Sequence, residues 1–349
     1  MADTERRARV ERLLQAARCL VDPNDAAGGA LRWRLQETTR LSRENIELGL
    51  TRCLETSASE ADWSALLEGA TETRRAHVLL SGNVFVAPLR AIALGLAASS
   101  EVHVRASRRD PALAEALHEL LPGLFRFESE LMPRSGDDYF AYGADETLTE
   151  LREALPRGVR FHAHGSGFGA VVLDAPAQTP LDARAVALDT ALFDQRGCLS
   201  PRVVCVVGDE ADARQVARWL AAELAALERE VPRGPRSELE AAAERRERDA
   251  AAYAFELFEA GSSWLSLSSG FVLPPARRCL HVTFTDEPLA LLEPFSAQLT
   301  CIGTNSELYR VQLSRHFEHA RVVALGEMQR PPLDGPVDRR ASPSGELLR

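Results

Sequence analysis

The sequence predicts an α/β protein built around parallel β-sheet, and two observations carry that prediction. From Ala76 onward, short apolar runs alternate with amphipathic helical stretches, the pattern of strands joined by helical crossovers. The chain has 349 residues, 45% of them hydrophobic and 26% charged, which is ample for the core of one or two globular domains.

The first 75 residues show helical periodicity, as in Val10-Glu-Arg-Leu-Leu-Gln-Ala-Ala-Arg-Cys-Leu20, broken at Pro23-Asn-Asp and Gly28-Gly29. Then come a strand at 77–80, a helix at 86–98, a strand at 101–105 and a helix at 111–121. A strand at 138–142 leads to a helix opening at Asp145 and Glu146, and further strands are expected near 159–163 and 169–173. A helix at 184–193, a strand at 202–207 and a helix at 210–227 follow. The Ala/Glu/Arg-rich stretch 237–260 is read as a second helix split off by Val231-Pro-Arg-Gly-Pro235, its charges a solvated face with local ion pairs. Strands at 281–284 and 298–303, a helix at 306–316 and a strand at 321–325 complete the pattern. The polar, proline-rich tail from Pro331 is expected to wrap the surface or stay disordered. No internal repeat is visible.

Composition excludes several classes. The formal net charge is −10 and no basic stripe interleaves with aromatics, which argues against nucleic-acid binding. All 41 basic residues are arginine, so no lysine is available for Schiff-base chemistry. The start of the chain lacks an apolar leader and no window is apolar enough to span a bilayer, so a cytoplasmic protein without membrane partners is expected. The six cysteines form no CxxC pair and have no histidine spacing suited to zinc, so no metal site is expected.

Most of these cysteines read as small core residues; Cys205 and Cys301, for example, sit in apolar strand-like runs. Cys198 differs. It follows a glycine and precedes Leu-Ser-Pro just before a strand, where a thiol can face a cleft. Taken alone it fits an inert packing residue as well as a nucleophile.

The segment Phe193-Asp-Gln-Arg-Gly-Cys198-Leu-Ser-Pro201 resembles the active-cysteine segment of the aldehyde dehydrogenase superfamily, and most closely that of the acyl-CoA reductases typified by the LuxC-like fatty-acid reductases. The resemblance implies that Cys198 forms an acyl-enzyme thioester. Upstream, Ser81-Gly-Asn83-Val-Phe-Val-Ala-Pro88 resembles the segment whose asparagine amide, with the backbone N–H of the cysteine, makes the oxyanion hole. That implies this role for Asn83; by its residues alone, an Asx-type turn ending a strand fits equally.

Glu101-Val-His-Val-Arg105-Ala-Ser107-Arg108-Arg-Asp-Pro111 resembles the strand and turn that hold the cofactor's adenosine ribose, with Arg105 where a lysine is common. Arginine can grip a 2′-phosphate bidentately, so Arg105, Ser107 and Arg108 favour NADPH. A solvated turn with Asp110 as helix N-cap is compatible with that reading. Ala141-Tyr142-Gly143-Ala144-Asp145-Glu146 resembles the strand-to-helix turn beneath the cofactor, which adds Gly143, Ala144 and Glu146 to the cofactor-binding candidates.

His164-Gly165-Ser-Gly167-Phe-Gly169 lies where hydrolytic members of the superfamily carry a glutamate followed by glycines. Ala163 and His164 occupy the glutamate's place here. Without that general base the thioester is protected from water, which suits acyl exchange with a thiol such as coenzyme A. His164 itself is either a proton shuttle or a satisfied structural residue. The segments 298–303 and 325–338 also resemble the reductases, so the likeness runs from about residue 77 to 338.

The resemblance therefore implies an aldehyde dehydrogenase-like α/β fold, a Rossmann-type parallel-sheet cofactor domain with a smaller α/β catalytic domain. Its expected divisions are a helical lead-in over 1–75, a cofactor domain over 76–193, a catalytic domain over 194–300, a segment 301–330 returning to the cofactor domain, and the tail. The implied activity is NADPH-dependent reduction of an acyl-CoA or other acyl thioester to an aldehyde. An acyl-supplying synthetase and a second copy of the chain are the implied partners. Two other readings stay open, a non-catalytic scaffold of the same fold and a cysteine acyltransferase that uses no nucleotide.

Overall fold

A computed structural model describes residues 3–175, 178–341 and 344–348. In chain order the strands are β1 Ala76–Leu79, β2 Val102–Arg105, β3 Arg126–Phe127, β4 Asp138–Tyr142, β5 Arg160–His164, β6 Phe168–Asp174 and β7 Pro201–Val207. They continue with β8 Glu256–Ala260, β9 Ser263–Leu267, β10 Leu280–Phe284, β11 Leu299–Thr304, β12 Arg321–Ala324 and β13 Glu346–Leu347. The chain divides into two compact units, each with its own sheet. The first holds residues up to 40, 49–166 and 330 onward; the second holds 41–48 and 167–329.

In the first unit the strand order is β13-β5-β4-β1-β2-β3. All neighbours are parallel except β13, which runs antiparallel to β5. The chain steps from β1 through β2 to β3 on one side, then from β4 to β5 on the other, so the order reverses between β1 and β4. A crevice at the carboxyl ends of strands at such a switch point is where open α/β sheets bind ligands.

The helix Ala87–Ala98, which joins β1 to β2, is buried from Pro88 to Ala98 on every face, as its run of Ala, Leu, Ile and Gly requires. A Cβ on Gly95 would lie 2.9 Å from Val78 Cγ2, so glycine lets this helix approach the sheet closely. The N-terminal helix Asp3–Val21 packs in the same unit. Its Arg6 Nε donates to the Ala97 carbonyl at 2.6 Å and its Arg9 Nη2 to the Leu96 carbonyl at 2.8 Å. These are end-of-helix carbonyls without a partner inside their own helix. The expected lead-in is thus an integral layer of the first unit.

The C-terminal tail is tied to the first unit at several points. The guanidinium of Arg90, 3% exposed, pairs with Glu55 at 2.9 Å and donates to the carbonyls of Pro331 and Gly335. Farther on, β13 adds to the sheet edge, with Leu348 N donating to Val159 O at 3.0 Å. A buried guanidinium must find acceptors, and tail carbonyls supply them. That demand is invisible in the tail's own composition.

In the second unit the order is β12-β11-β6-β7-β10-β9-β8, parallel throughout except for the β8–β9 hairpin. Capping boxes open its long helices: Thr179 with Asp182 at Pro180–Ala191, Asp209 with Asp212 at Glu210–Glu230, and Ser237 with Glu240 at Glu238–Ala254. The stretch expected to be helical to 260 is helical only to Ala254. Glu256–Ala260 alternates in character and turns back through Gly261, φ 68°, into Ser263–Leu267, so a hairpin replaces the last helical turns.

The division between the units also differs from the expected one. Strand β6 joins the second sheet, beside β7 and β11, so the second unit begins at Gly167 and not at 194. Residues 301–329 stay within that unit because β11 is inserted between β12 and β6; the segment belonging to the first unit starts at Arg330. Strand partners more than a hundred residues apart are chosen by burial of both sheet faces, which local sequence does not report.

Candidate active site

Eight of the nine candidates lie at or beyond the carboxyl ends of the first unit's parallel strands. Asn83 follows β1; Arg105 ends β2, with Ser107 and Arg108 in the turn after it; Gly143, Ala144 and Glu146 follow β4. His164 ends β5. The loop carrying Asn83 and the turn carrying Ser107 touch, since a Cβ on Gly82 would lie 2.4 Å from Ser107 Oγ.

Asn83 is exposed and makes no hydrogen bond among the described residues, so the side-chain bond of an Asx-type turn is not formed. Neither Arg105 nor Arg108 is engaged by a carboxylate among them. Ser107 Oγ accepts from Arg109 N at 3.2 Å. Ala144 caps the helix Asp145–Ala154 without a side-chain bond, leaving the first amides of that helix without an internal acceptor. At Gly143 nothing lies closer than 4.0 Å to an added Cβ and φ is not positive, so glycine here leaves open space that the fold does not use.

His164 is 5% exposed, stacked on Tyr142 at 4.4 Å between ring centroids, and burial pushes its pKa down to about 4. It stays neutral at ordinary pH, far below the range of an efficient proton shuttle, so its surroundings favour the packing reading. The unfolded chain binds a proton at this histidine near pH 6.5 that the folded chain binds only near pH 4, so its contribution falls as pH drops through that window. Replacing it, as in His164→Leu, is expected to flatten the acid slope of stability by on the order of 3 kcal/mol between pH 7.5 and 4. Urea unfolding at both pH values measures this; an unchanged slope would mean that the ring is charged in the fold.

Cys198 belongs to the second unit. Of the six cysteines, Cys53, Cys205, Cys279 and Cys301 are buried, Cys19 is exposed, and Cys198 is half-buried. Burial pushes the Cys205 and Cys279 thiols up to about 12 and that of Cys301 higher still, which leaves them protonated and inert.

The backbone leading to Cys198 is unusual. The helix Pro180–Ala191 stops, and Phe193, Asp194 and Gln195 have φ of 54°, 52° and 62°. Three successive left-handed residues without glycine cost roughly 1–2 kcal/mol each. A buried polar network repays that cost. The Asn45 side-chain carbonyl accepts from Phe193 N at 2.9 Å, while its amide donates to Ala191 O at 2.9 Å and to Asp194 at 3.3 Å. Asp194 also receives Arg278 Nη2 at 2.7 Å and Nε at 3.0 Å, and Gly234 N at 3.1 Å. Gln195 grips Cys279 from both sides, accepting from its N–H at 3.0 Å and donating to its carbonyl at 2.8 Å, and also donates to Pro201 O at 2.7 Å. With hydrogen bonds to charged groups worth about 1.5–3 kcal/mol each, the network outweighs the backbone strain.

The thiol's own turn is held too. Ser200 N donates to Gly197 O at 3.1 Å, and the Cys198 carbonyl accepts from Thr300 Oγ1. Gly169 N donates to Ser200 O at 2.9 Å, and a Cβ on Gly169 would stand 2.5 Å from Leu199 O, so only glycine fits there. Beneath, Asp189 accepts from Gly326 N and Met328 N at 2.7 and 3.1 Å, yet burial still raises its pKa to about 7. Gln329 Nε2 links the Asp189 carbonyl to Ser200 Oγ.

Sequence reading singled out Cys198 but not Asn45, Arg278, Thr300 or Asp189. The Asp-Gln pair lay in the quoted segment and could have flagged Asp194 and Gln195; the distant partners left no local signal. No group of three or more His, Cys, Asp or Glu side chains among the described residues is placed to hold a metal ion. No helix among them is long and apolar enough to cross a membrane.

Residues 126–307 match the family described as Acyl-CoA reductase (LuxC). No curated protein is significantly similar in sequence. Among solved structures, aldehyde dehydrogenase 21 from Physcomitrella patens, in complex with the reaction product succinate, superposes with a TM-score of 0.69 at 13% identity, covering 98% of this chain and 82% of that one. Glyceraldehyde-3-phosphate dehydrogenase GapN from Methanocaldococcus jannaschii, complexed with NADP, gives 0.66 at 11% identity, covering 98% and 86%. An NAD-dependent benzaldehyde dehydrogenase from Corynebacterium glutamicum gives 0.66 at 12%, covering 97% and 82%. These likenesses establish the aldehyde dehydrogenase fold expected from the sequence.

Proposed function

The chain belongs to the LuxC acyl-CoA reductase family, and we propose from that premise that it reduces an acyl-CoA or related acyl thioester to an aldehyde with NADPH, through an acyl-enzyme on Cys198. One observation carries the cofactor part: the candidate residues gather at the carboxyl edge of the first unit's sheet, around its switch point. The local chemistry fits a nicotinamide dinucleotide phosphate. Open space at Gly143 and the uncapped helix start at Asp145 suit a diphosphate, and the unengaged Arg105 and Arg108 with Ser107 suit a 2′-phosphate. The dinucleotide's contribution, when bound, is hydride donation.

The remaining chemistry falls to the chain. The Cys198 sulfur attacks the thioester carbonyl and the carbon–sulfur bond to the carrier breaks, so the carrier leaves as its thiolate and takes up a proton. The carbonyl oxygen gains negative charge in that step, and the Cys198 amide is the donor assigned to it. After reduction, the hemithioacetal on Cys198 loses its hydroxyl proton, the carbon–sulfur bond breaks, the aldehyde departs and the thiolate is restored. Because a thioester is consumed, an enzyme that activates acyl groups must supply the substrate.

Loss of reduced-nicotinamide absorbance, followed across a series of acyl-CoA lengths, tests the reading. The double variant Arg105→Ala/Arg108→Ala is expected to raise KM for NADPH at least ~10-fold, since each lost charge-assisted contact is worth about 1.5–3 kcal/mol, and to leave KM for NADH within about twofold. Equal losses for both cofactors would remove the 2′-phosphate assignment. Acylation of Cys198 with no NADPH consumption would move the reading to acyl transfer.

A further inference from the structure

The second unit contains a cavity of about 290 Å³, at the small end of the range for small-molecule sites, that the proposed chemistry does not use. It lies between the helix Glu238–Ala254 and the β8–β9 hairpin, with Trp264 and Cys279 among its walls. In a chain of net charge −10, this cavity gathers positive charge.

The arginines exceed their carboxylates. Glu244 is shared by Arg233 at 3.0 Å, Arg236 at 2.7 Å and, more distantly, Arg277 at 4.0 Å; Arg277 also meets Glu247 at 2.7 Å. Arg248, also in the lining, is taken up by Glu259 outside it. Arg245 faces the cavity with no ion pair among the described residues. Four guanidiniums thus stand over two glutamates.

A second, independent observation points to a ligand. The Arg233 side chain is 8% exposed, and its Nε–H is buried without an acceptor, although its two terminal nitrogens are paired with Glu244 and Ser262. Buried donors are rarely left unmet, so an acceptor oxygen belongs there. Several guanidinium forks around one half-open space favour a tetrahedral oxyanion, which accepts planar bidentate contacts from more than one arginine, over a halide or a monocarboxylate. The neutral Cys279 thiol adds no opposing charge.

We propose that this cavity is a binding site for a phosphate-bearing small molecule, either a free diphosphate or a phosphorylated nucleotide, held by Arg233, Arg236, Arg245 and Arg277. The site does not rest on the thioester reading, and its test involves no turnover. Calorimetric titration of the full chain at 0.15 M salt is expected to show saturable binding of pyrophosphate and none of malonate at tenfold higher concentration.

Arg245→Glu, an exchange at an exposed and unpaired position, is expected to weaken binding at least tenfold. Arg310→Glu, a charge-matched change on the helix Glu307–His316, is expected to leave it unchanged. Adenosine 3′,5′-bisphosphate in parallel distinguishes the sources: tighter binding than pyrophosphate identifies a nucleotide, weaker binding a free diphosphate. Absence of saturable binding, equal binding of malonate, or equal loss in the two charge-matched variants would overturn the proposal and leave these arginines as structural partners of Glu244 and Glu247.

Discussion

Cys198→Ser is expected to abolish acyl-enzyme formation and to lower reductase turnover by at least ~10³-fold, because a serine hydroxyl is a far poorer nucleophile than a thiolate. The thermal midpoint should move little, since the thiol is half-buried and the backbone bonds of its turn, from Ser200 N and Thr300 Oγ1, do not involve the sulfur. Intact-mass measurement after mixing with acyl-CoA alone should show one acyl adduct on the parent chain and none on the variant. The other cysteines make the experiment decisive. Cys205, Cys279 and Cys301 are held protonated by burial and Cys53 is buried, so with the exposed Cys19 replaced by serine in both chains, an adduct that persists in the variant, or full reductase turnover, would sink the assignment.

The second large effect is expected at Asp194. Asp194→Asn keeps the shape of the side chain but removes the charge that Arg278, 2% exposed, depends on. Stranding one partner of a buried ion pair costs about 3–5 kcal/mol, which urea unfolding would register directly. The same change relaxes the left-handed run at Phe193–Gln195, and a displacement of the thiol by about 1 Å is worth on the order of 10²-fold in the acylation rate. NADPH affinity should be unaltered, since the cofactor candidates all lie in the first unit. A variant with normal stability and normal acylation would show that the network does not place the nucleophile.

Much of this molecule was legible before any coordinates. The alternation of apolar runs and helices from Ala76 gave the parallel α/β class, and most element limits agree within one or two residues, as at 138–142 and 202–207. These elements are governed by local periodicity and by caps such as Asp209 with Asp212, which the sequence displays. The thiol segment and the arginine-bearing turn were likewise visible, because each is a short contiguous stretch.

The tertiary structure decided what depends on distant partners. A left-handed path through Phe193, Asp194 and Gln195 runs against the local preference of these residues, so the segment read as helix to 193; partners far away in sequence, Asn45 and Arg278 among them, make the path stable. The Ala/Glu/Arg run at 240–251 kept its helix, but the hairpin after it depended on β10 offering an edge to β9. In the same way, β6 and β11 were assigned to the second sheet by pairing across some 130 residues, and the tail segment from Pro331 to Gly335 was tied down by one buried guanidinium, Arg90. Local sequence by itself determined most of the elements and which side chains carry reactive groups. Burial and hydrogen-bond satisfaction, which are properties of the whole chain, decided where those elements pair and how the thiol is presented.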